Sequence, residues 1–261
     1  MKLARAHDGV PHPRPGQAPG REDQRMRNAA TPPLDATRTS SIPAAPRLRT
    51  VVILHMFSGR RRQGGVEEQL RYRAVWDDVQ LMVLSLDIVN GPQGDLRSWQ
   101  NLLTWVRHVL DGRVLAAIAG PPCESWSPAR VHGRGPGLLR SQAHLWGFAA
   151  LLPAEAQQVA LGSDLLQAAL LAFAAAWAAQ AAAILEHPAK PRWHPQAQGL
   201  PSIWDLPETQ AILSKPGVGT TTFDQCVRGA EGRKPTTLMH TGVPALRPRL
   251  LSRGWGGSVP A

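Results

Sequence analysis

The chain has 261 residues, a formal net charge of +10 and two cysteines. Apolar residues make up 43% of it, enough for one sizeable core, which excludes a wholly disordered protein. Two cysteines exclude a disulfide scaffold and, with no matching histidine pattern, a zinc site; they point to an intracellular chain.

The basic excess points to a polyanionic partner, either nucleic acid or an anionic membrane surface. Nine Lys/Arg against four Asp/Glu precede Thr50, so this tail holds half the net charge. Residues 1–48 are rich in Pro, Arg, Ala and Thr, show no hydrophobic period and are predicted to be a disordered basic tail. No apolar stretch follows the N-terminal charges, so no secretory signal is expected.

Val51 to Phe57 is a β-branched run that ends at Ser58-Gly59, the pattern of a buried strand and a turn. A helix is expected from Val66 to about Trp76, then a second strand over Gln80–Ile88 that ends in an acid, Asp87. Ser98 can cap a helix running to Leu110, with apolar residues at Leu102, Leu103, Val106, Val109 and Leu110, and Gly112 can end it. Val114–Ala119 is a third strand, leading into Gly120-Pro121-Pro122-Cys123. Residues 124–142 are rich in Gly, Pro, Ser and Arg and are expected to be a mobile loop.

A long helix is expected over Glu155–Ala182. Its core, Ala168–Ala179, is dominated by alanine and flanked by Asp164 and Glu186, which favours a buried helix over a membrane span. Ile184-Leu185 lead to a strand end at Glu186-His187-Pro188. Ser202–Ser214 reads as a helix, and Gly219–Cys226 and Pro235–Thr241 as terminal strands. The alternation predicts an α/β domain over residues 49–242, with a mostly parallel sheet and helices on both faces, followed by a flexible tail over 243–261. Ligands in such folds sit at the carboxyl ends of the strands. Gly59, Asp87, Asp95, Cys123 and Glu186 all fall at or just past such ends.

Each of these residues suits a chemical task. Gly59 lets backbone approach a ligand without a Cβ clash. Asp87 suits the two hydroxyls of a ribose, and Asp95 can accept from an adenine amino group. Cys123, stiffened by two prolines, can be a nucleophile if its thiolate is favoured, or an inert buried thiol if it is not. A partly buried Glu186 can donate a proton or cap a neighbouring helix. His187 fits packing better than catalysis.

Gly120-Pro121-Pro122-Cys123-Glu124-Ser125-Trp126-Ser127 resembles the Pro-Cys nucleophile loop of cytosine-5 DNA methyltransferases. Phe57-Ser58-Gly59, with Gly64-Gly65 further on, is similar to that family's first cofactor motif. Asp87 and Gly94-Asp95-Leu96 match its ribose and adenine acids, and Leu185-Glu186-His187 resembles its Glu-Asn-Val segment. Phe223 to Cys226 and Lys234-Pro235-Thr236 resemble a C-terminal stretch of compact viral and phage-like members. The resemblance covers residues 50–242, with the motifs in the family's order.

The resemblance implies a Rossmann-like, class I S-adenosylmethionine-dependent fold that acts as a monomer on nucleic acid, DNA ahead of RNA, in a nuclear or other intracellular setting and without a membrane. It implies Cys123 attacking carbon 6 of cytosine and Glu186 protonating ring nitrogen 3. S-adenosylmethionine would be held by Phe57, Ser58, Gly59, Asp87, Asp95 and Pro121. A duplex target would be flipped out of its stack. Arg130, Arg134, Arg140 and Lys234 are the expected phosphate contacts.

The chain departs from the family at Arg60-Arg61-Arg62, which interrupts the glycine turn, at Glu124 in place of Gln and at His187 in place of Asn. No separate target-recognition domain is expected after residue 242. Two alternatives stay open: an inactive nucleic-acid-binding module of the same fold, derived from a mobile element, and a methyltransferase of another substrate in which Cys123 is structural.

Overall fold

The computed structural model describes residues 49–73, 79–131, 137–192, 199–232 and 234–251. The predicted tail over 1–48, the end of the first predicted helix at 74–76, Arg134 and the final residues 252–261 lie outside them.

Six strands form one sheet in the order β2-β1-β3-β4-β6-β5. They are β1 (Arg49–Met56), β2 (Val79–Leu86), β3 (Ala116–Ala119), β4 (Ala182–Pro188), β5 (Gly219–Asp224) and β6 (Pro235–Thr241). β1 to β4 pair in parallel, whereas β6 runs antiparallel to both β4 and β5. The result is an α/β fold with a mixed, mostly parallel sheet and helices packed against it. The reversal at β6 follows from its connection. The described residues between β5 and β6 hold one short 3-10 turn and no crossover helix, and a parallel return needs a longer crossover.

The helices are α1 (Val66–Arg73), α2 (Trp99–Leu110), α3 (Pro153–Ala178), α4 (Pro207–Leu213) and α5 (Leu246–Leu251). Ser98 caps α2 by accepting from the Asn101 N–H at 3.4 Å. Leu102, Val106 and Val109 turn inward, while Leu110 is exposed. α3 starts with Pro153 at its first turn, and Glu155 accepts from the Leu152 N–H at 3.1 Å. By length and composition α3 could cross a membrane. Leu166, Ala169, Phe173 and Ala176, spaced to share one helix face, are buried in the core where α3 packs on β3, β4 and α2.

Several boundaries differ from expectation. β2 stops at Leu86, and Ile88–Asn90 form a 3-10 turn capped by Asp87. α3 ends at Ala178 and β4 begins at Ala182, where a longer helix was expected. Ser202–Ser214 divides into a 3-10 turn and α4, because Pro207 starts a new helix. Residues 246–251 form α5, so regular structure continues into the expected flexible tail.

Candidate active site

β1 pairs with β2 on one side and β3 on the other. The chain reverses its direction of travel across the sheet at β1, and a crevice opens outside the carboxyl ends of strands at such a point. Phe57-Ser58-Gly59 leaves β1 there, Gly120-Pro121-Pro122-Cys123 leaves β3, and Asp87 follows β2.

The turn after β1 is tightly held. Phe57 adopts a left-handed conformation at φ 58°, and its N–H donates to Leu86 O at 2.8 Å. Left-handed backbone at a bulky residue is uncommon and persists where surrounding contacts enforce it. Gly59, at φ 66°, donates its N–H to Asp87 Oδ2 at 2.9 Å. Asp87 Oδ1 accepts from the Val89 N–H at 3.1 Å. Asn90 Nδ2 adds bonds to Ser58 Oγ and Gly59 O at 3.0 and 2.9 Å.

Beside this turn lies a cavity of about 600 Å³, whose walls include Phe57, Ser58, Gly59, His55, Ser85 and Glu67. Arg60, Arg61 and Arg62 also line this cavity. Glu67 gathers Arg61 Nε at 3.2 Å, Arg71 at 2.9 Å and the Ser85 hydroxyl at 2.7 Å. Burial pushes the His55 imidazole below its usual range, against a smaller opposing effect of Glu67. His55 Nδ1 is buried without a hydrogen-bond partner.

Asp95 sits apart from that cavity's walls, gripped by its own neighbour. Arg97 donates its N–H and Nε to Asp95 Oδ1 at 3.1 and 3.0 Å and a second guanidinium nitrogen to Oδ2 at 3.1 Å. The Arg97 side-chain hydrogen bonds hold the Asp95 carboxyl below its usual range.

Cys123 is half-buried and sits in the bridge region of backbone space, at φ −104° and ψ 0°, where many active-site residues are found. Its carbonyl accepts from the Trp126 N–H at 2.9 Å. Glu186 approaches from β4: a Cβ placed on Gly120 would lie 3.7 Å from Glu186 Oε2. Glu186 Oε1 is buried without a hydrogen bond, and Lys234 Nζ lies 3.7 Å from it. Burial pushes the Cys123 thiol up; Lys234 opposes this, while Glu124 and Glu186 add to it.

The expected mobile loop after Cys123 is anchored at both ends. Ser125, Trp126, Leu139 and Arg140 are buried. Arg140, expected to meet phosphates, is 0% exposed. Its donors reach Ser125 Oγ at 3.2 Å, Leu145 O at 2.9 Å, Val159 O at 2.8 Å and Ser163 Oγ at 3.1 Å. Its guanidinium carbon stands 4.0 Å from the Trp126 ring centre, and burial pushes its pKa down to about 10. This arginine therefore clamps the loop after Cys123 to α3, because its donors are spent inside the protein. Gly162 completes the clamp, since a Cβ there would meet Ser125 Oγ at 2.7 Å.

Arg130 is half-buried and bonds Gly137 O at 2.7 Å and Gln158 Oε1 at 3.3 Å. Strand alternation turns His187 to the sheet face opposite Glu186. It is buried edge-on to Trp126 and Trp204 at 6.4 and 6.5 Å. Burial lowers its pKa to about 3, so it is a neutral packing residue.

Among the described residues no cluster of His, Cys, Asp or Glu could hold a metal ion. No protein-family model, curated protein or solved structure matches the chain.

Proposed function

We propose that this chain is an S-adenosylmethionine-dependent methyltransferase acting on carbon 5 of cytosine in nucleic acid, with Cys123 as nucleophile. The observation that carries this reading is an alignment of ends. The Phe57-Ser58-Gly59 turn, Asp87, the Gly-Pro-Pro-Cys loop and Glu186 stand at the carboxyl ends of β1, β2, β3 and β4, four adjacent parallel strands. The finer fold assignment belongs to the same proposal: a Rossmann-like sheet with α1 on one face and α2 and α3 on the other. Right-handed crossovers that travel in opposite directions from β1 require that division.

Three of the cofactor residues, Phe57, Ser58 and Gly59, line the cavity beside the β1 turn, whereas Asp87, Asp95 and Pro121 are not among its walls. The cavity beside Gly59 has Arg60, Arg61 and Arg62 in its walls together with His55, whose Nδ1 is buried without a hydrogen-bond partner. Phe57, Ser58, Gly59, Asp87, Asp95 and Pro121 are the residues that would hold S-adenosylmethionine, which when bound supplies the methyl group. Arg97 must share or release Asp95 for it to accept from adenine.

The chain's own residues then handle the base. Cys123 as thiolate adds to carbon 6, and the displaced ring electrons reach nitrogen 3, which takes a proton relayed from solvent through Glu186. Carbon 5 is thereby made nucleophilic. After methylation, loss of the carbon 5 proton to solvent restores the ring double bond and expels the thiolate. Nitrogen 3 returns its proton to Glu186. Lys234, Arg130 and Arg134 are the cations left to meet phosphates, Arg140 being committed to the clamp.

The test is transfer of a labelled methyl group from S-adenosylmethionine to cytosine-containing duplex, single-stranded DNA and RNA. Transfer that Cys123→Ala abolishes is expected. Absence of transfer to all three substrates overturns the proposal.

A second reading has one observation in its favour. The Cys123 thiol is pushed up by burial and by two carboxylates, which suits an inactive nucleic-acid-binding module. Salt-dependent DNA binding without methyl transfer would be its signature.

A further inference from the structure

We propose that Lys234 is a positioning residue that sets the reactivity of Cys123, acting by neutralising the Glu186 carboxylate beside it. This goes beyond a phosphate-contact role and rests on the reading of Cys123 as the nucleophile.

The antiparallel strand gives the first reason. Parallel strands bring only their carboxyl ends to the crevice, and β6 brings its amino end. Its register pairs Thr236 with Pro188 at the end of β4, and Lys234 lies two residues before Thr236. The Lys234 main chain is fixed there, its carbonyl accepting from the Gln225 N–H and the Thr236 hydroxyl, each at 3.1 Å. The Ala189 N–H donates to Pro235 O at 2.9 Å. The reversal at β6 thus delivers a lysine to the ends of the parallel strands.

The second reason is charge. Glu186 Oε1 is buried without a hydrogen bond, with the Lys234 ammonium at 3.7 Å. Glu186 Oε2 stands against Gly120, at the start of the loop that carries Cys123. Three charged groups act on the thiol: Glu124 from the 3-10 turn, Glu186 from β4 and Lys234 from the start of β6. Lys234 opposes the two acids in its effect on the thiol, so without it forming a thiolate becomes harder.

The test is alkylation of Cys123 by iodoacetamide, followed by intact mass from pH 6.5 to 10 in a Cys226→Ser background, so that one thiol remains. Lys234→Met is expected to move the rate–pH curve to higher pH and to slow alkylation at pH 7.5 about five-fold. Lys234→Arg should restore the parent curve, and Lys234→Met with Glu186→Gln should recover most of the lost rate. Lys234 is exposed, so its variants should fold, and coincident thermal melts will check this. A Lys234→Met curve that overlays the parent, or a Lys234→Arg curve that follows Lys234→Met, overturns the assignment. Alkylation needs neither cofactor nor nucleic acid, so a shifted curve without methyl transfer overturns the methyltransferase reading alone.

Discussion

The main-chain N–H of Gly59 donates to Asp87 Oδ2 at 2.9 Å across 28 residues of sequence. One carboxylate therefore shapes the turn after β1, and under the proposed function the same carboxylate would hold the ribose. Asp87→Ala strips acceptors from the Gly59 and Val89 N–H groups and should cost about 1–2 kcal/mol in urea unfolding. Asp87→Asn keeps an acceptor oxygen and should recover much of that. Calorimetric titration should find S-adenosylmethionine bound at least about tenfold more weakly by both variants, since the uncharged amide is a poorer ribose acceptor. Unchanged affinity in both would remove Asp87 from the cofactor site.

The clamp on the Cys123 loop predicts a coupled pair. Gly162→Ala gains about 1 kcal/mol of helix propensity but places a methyl 2.7 Å from Ser125 Oγ. Arg140 holds that hydroxyl at 3.2 Å, so it cannot move aside freely. The clash should win, for a net loss of about 1–2 kcal/mol. Ser125→Ala removes the obstructing oxygen, so the double variant should be less destabilised than the two single losses combined. Strict additivity in chemical denaturation would contradict the contact.

Arg140→Leu separates a clamp from a phosphate contact. As a clamp, its loss removes the guanidinium donors from Leu145 O, Val159 O and two serine hydroxyls, of which Val159 O keeps the Ser163 hydroxyl. Stability should fall by about 3 kcal/mol or more. A phosphate contact would instead leave stability intact and lower the salt slope of oligonucleotide binding by about 1.

His187 predicts a pH dependence. Its pKa falls from 6.5 in the unfolded chain to about 3 when buried. Between these values the unfolded chain binds the proton and the folded chain does not, so stability falls as pH drops below 6.5 and continues to fall towards 3. The limiting slope is about 1.4 kcal/mol per pH unit. Between pH 6.5 and 5.0 the parent protein should lose about 1–2 kcal/mol more than His187→Leu in urea unfolding. Parallel losses in the two proteins would show that the imidazole is reached by protons while folded.

Much of this organisation is legible before folding. Pro235–Thr241 reads as a strand and is one, because three β-branched threonines in seven residues favour extended backbone. The Ser98 cap and the inward positions of α2 follow from local rules. The acids after strands are visible because each follows an apolar run. What escapes is long-range. Arg140 lies in a Gly/Ser-rich stretch that looks solvated, yet its partners Ser125, Val159 and Ser163 stand 15, 19 and 23 residues away. The pairing of Lys234 with Glu186 needs the antiparallel register of β6, which no local pattern in the strand reveals. Asp95 is the opposite case: its partner Arg97 is two residues away and could have been read from the sequence.

The most direct measurement is covalent capture. An oligonucleotide carrying 5-fluorocytosine, incubated with the protein and S-adenosylmethionine, should hold the chain at carbon 6, because fluorine cannot leave carbon 5 as a proton does. A denaturation-resistant complex whose peptide mass locates the bond at Cys123, and which is lost in Cys123→Ser, is the predicted result. A folded, DNA-binding protein that forms no such complex, or one linked through Cys226, would contradict Cys123 as the nucleophile.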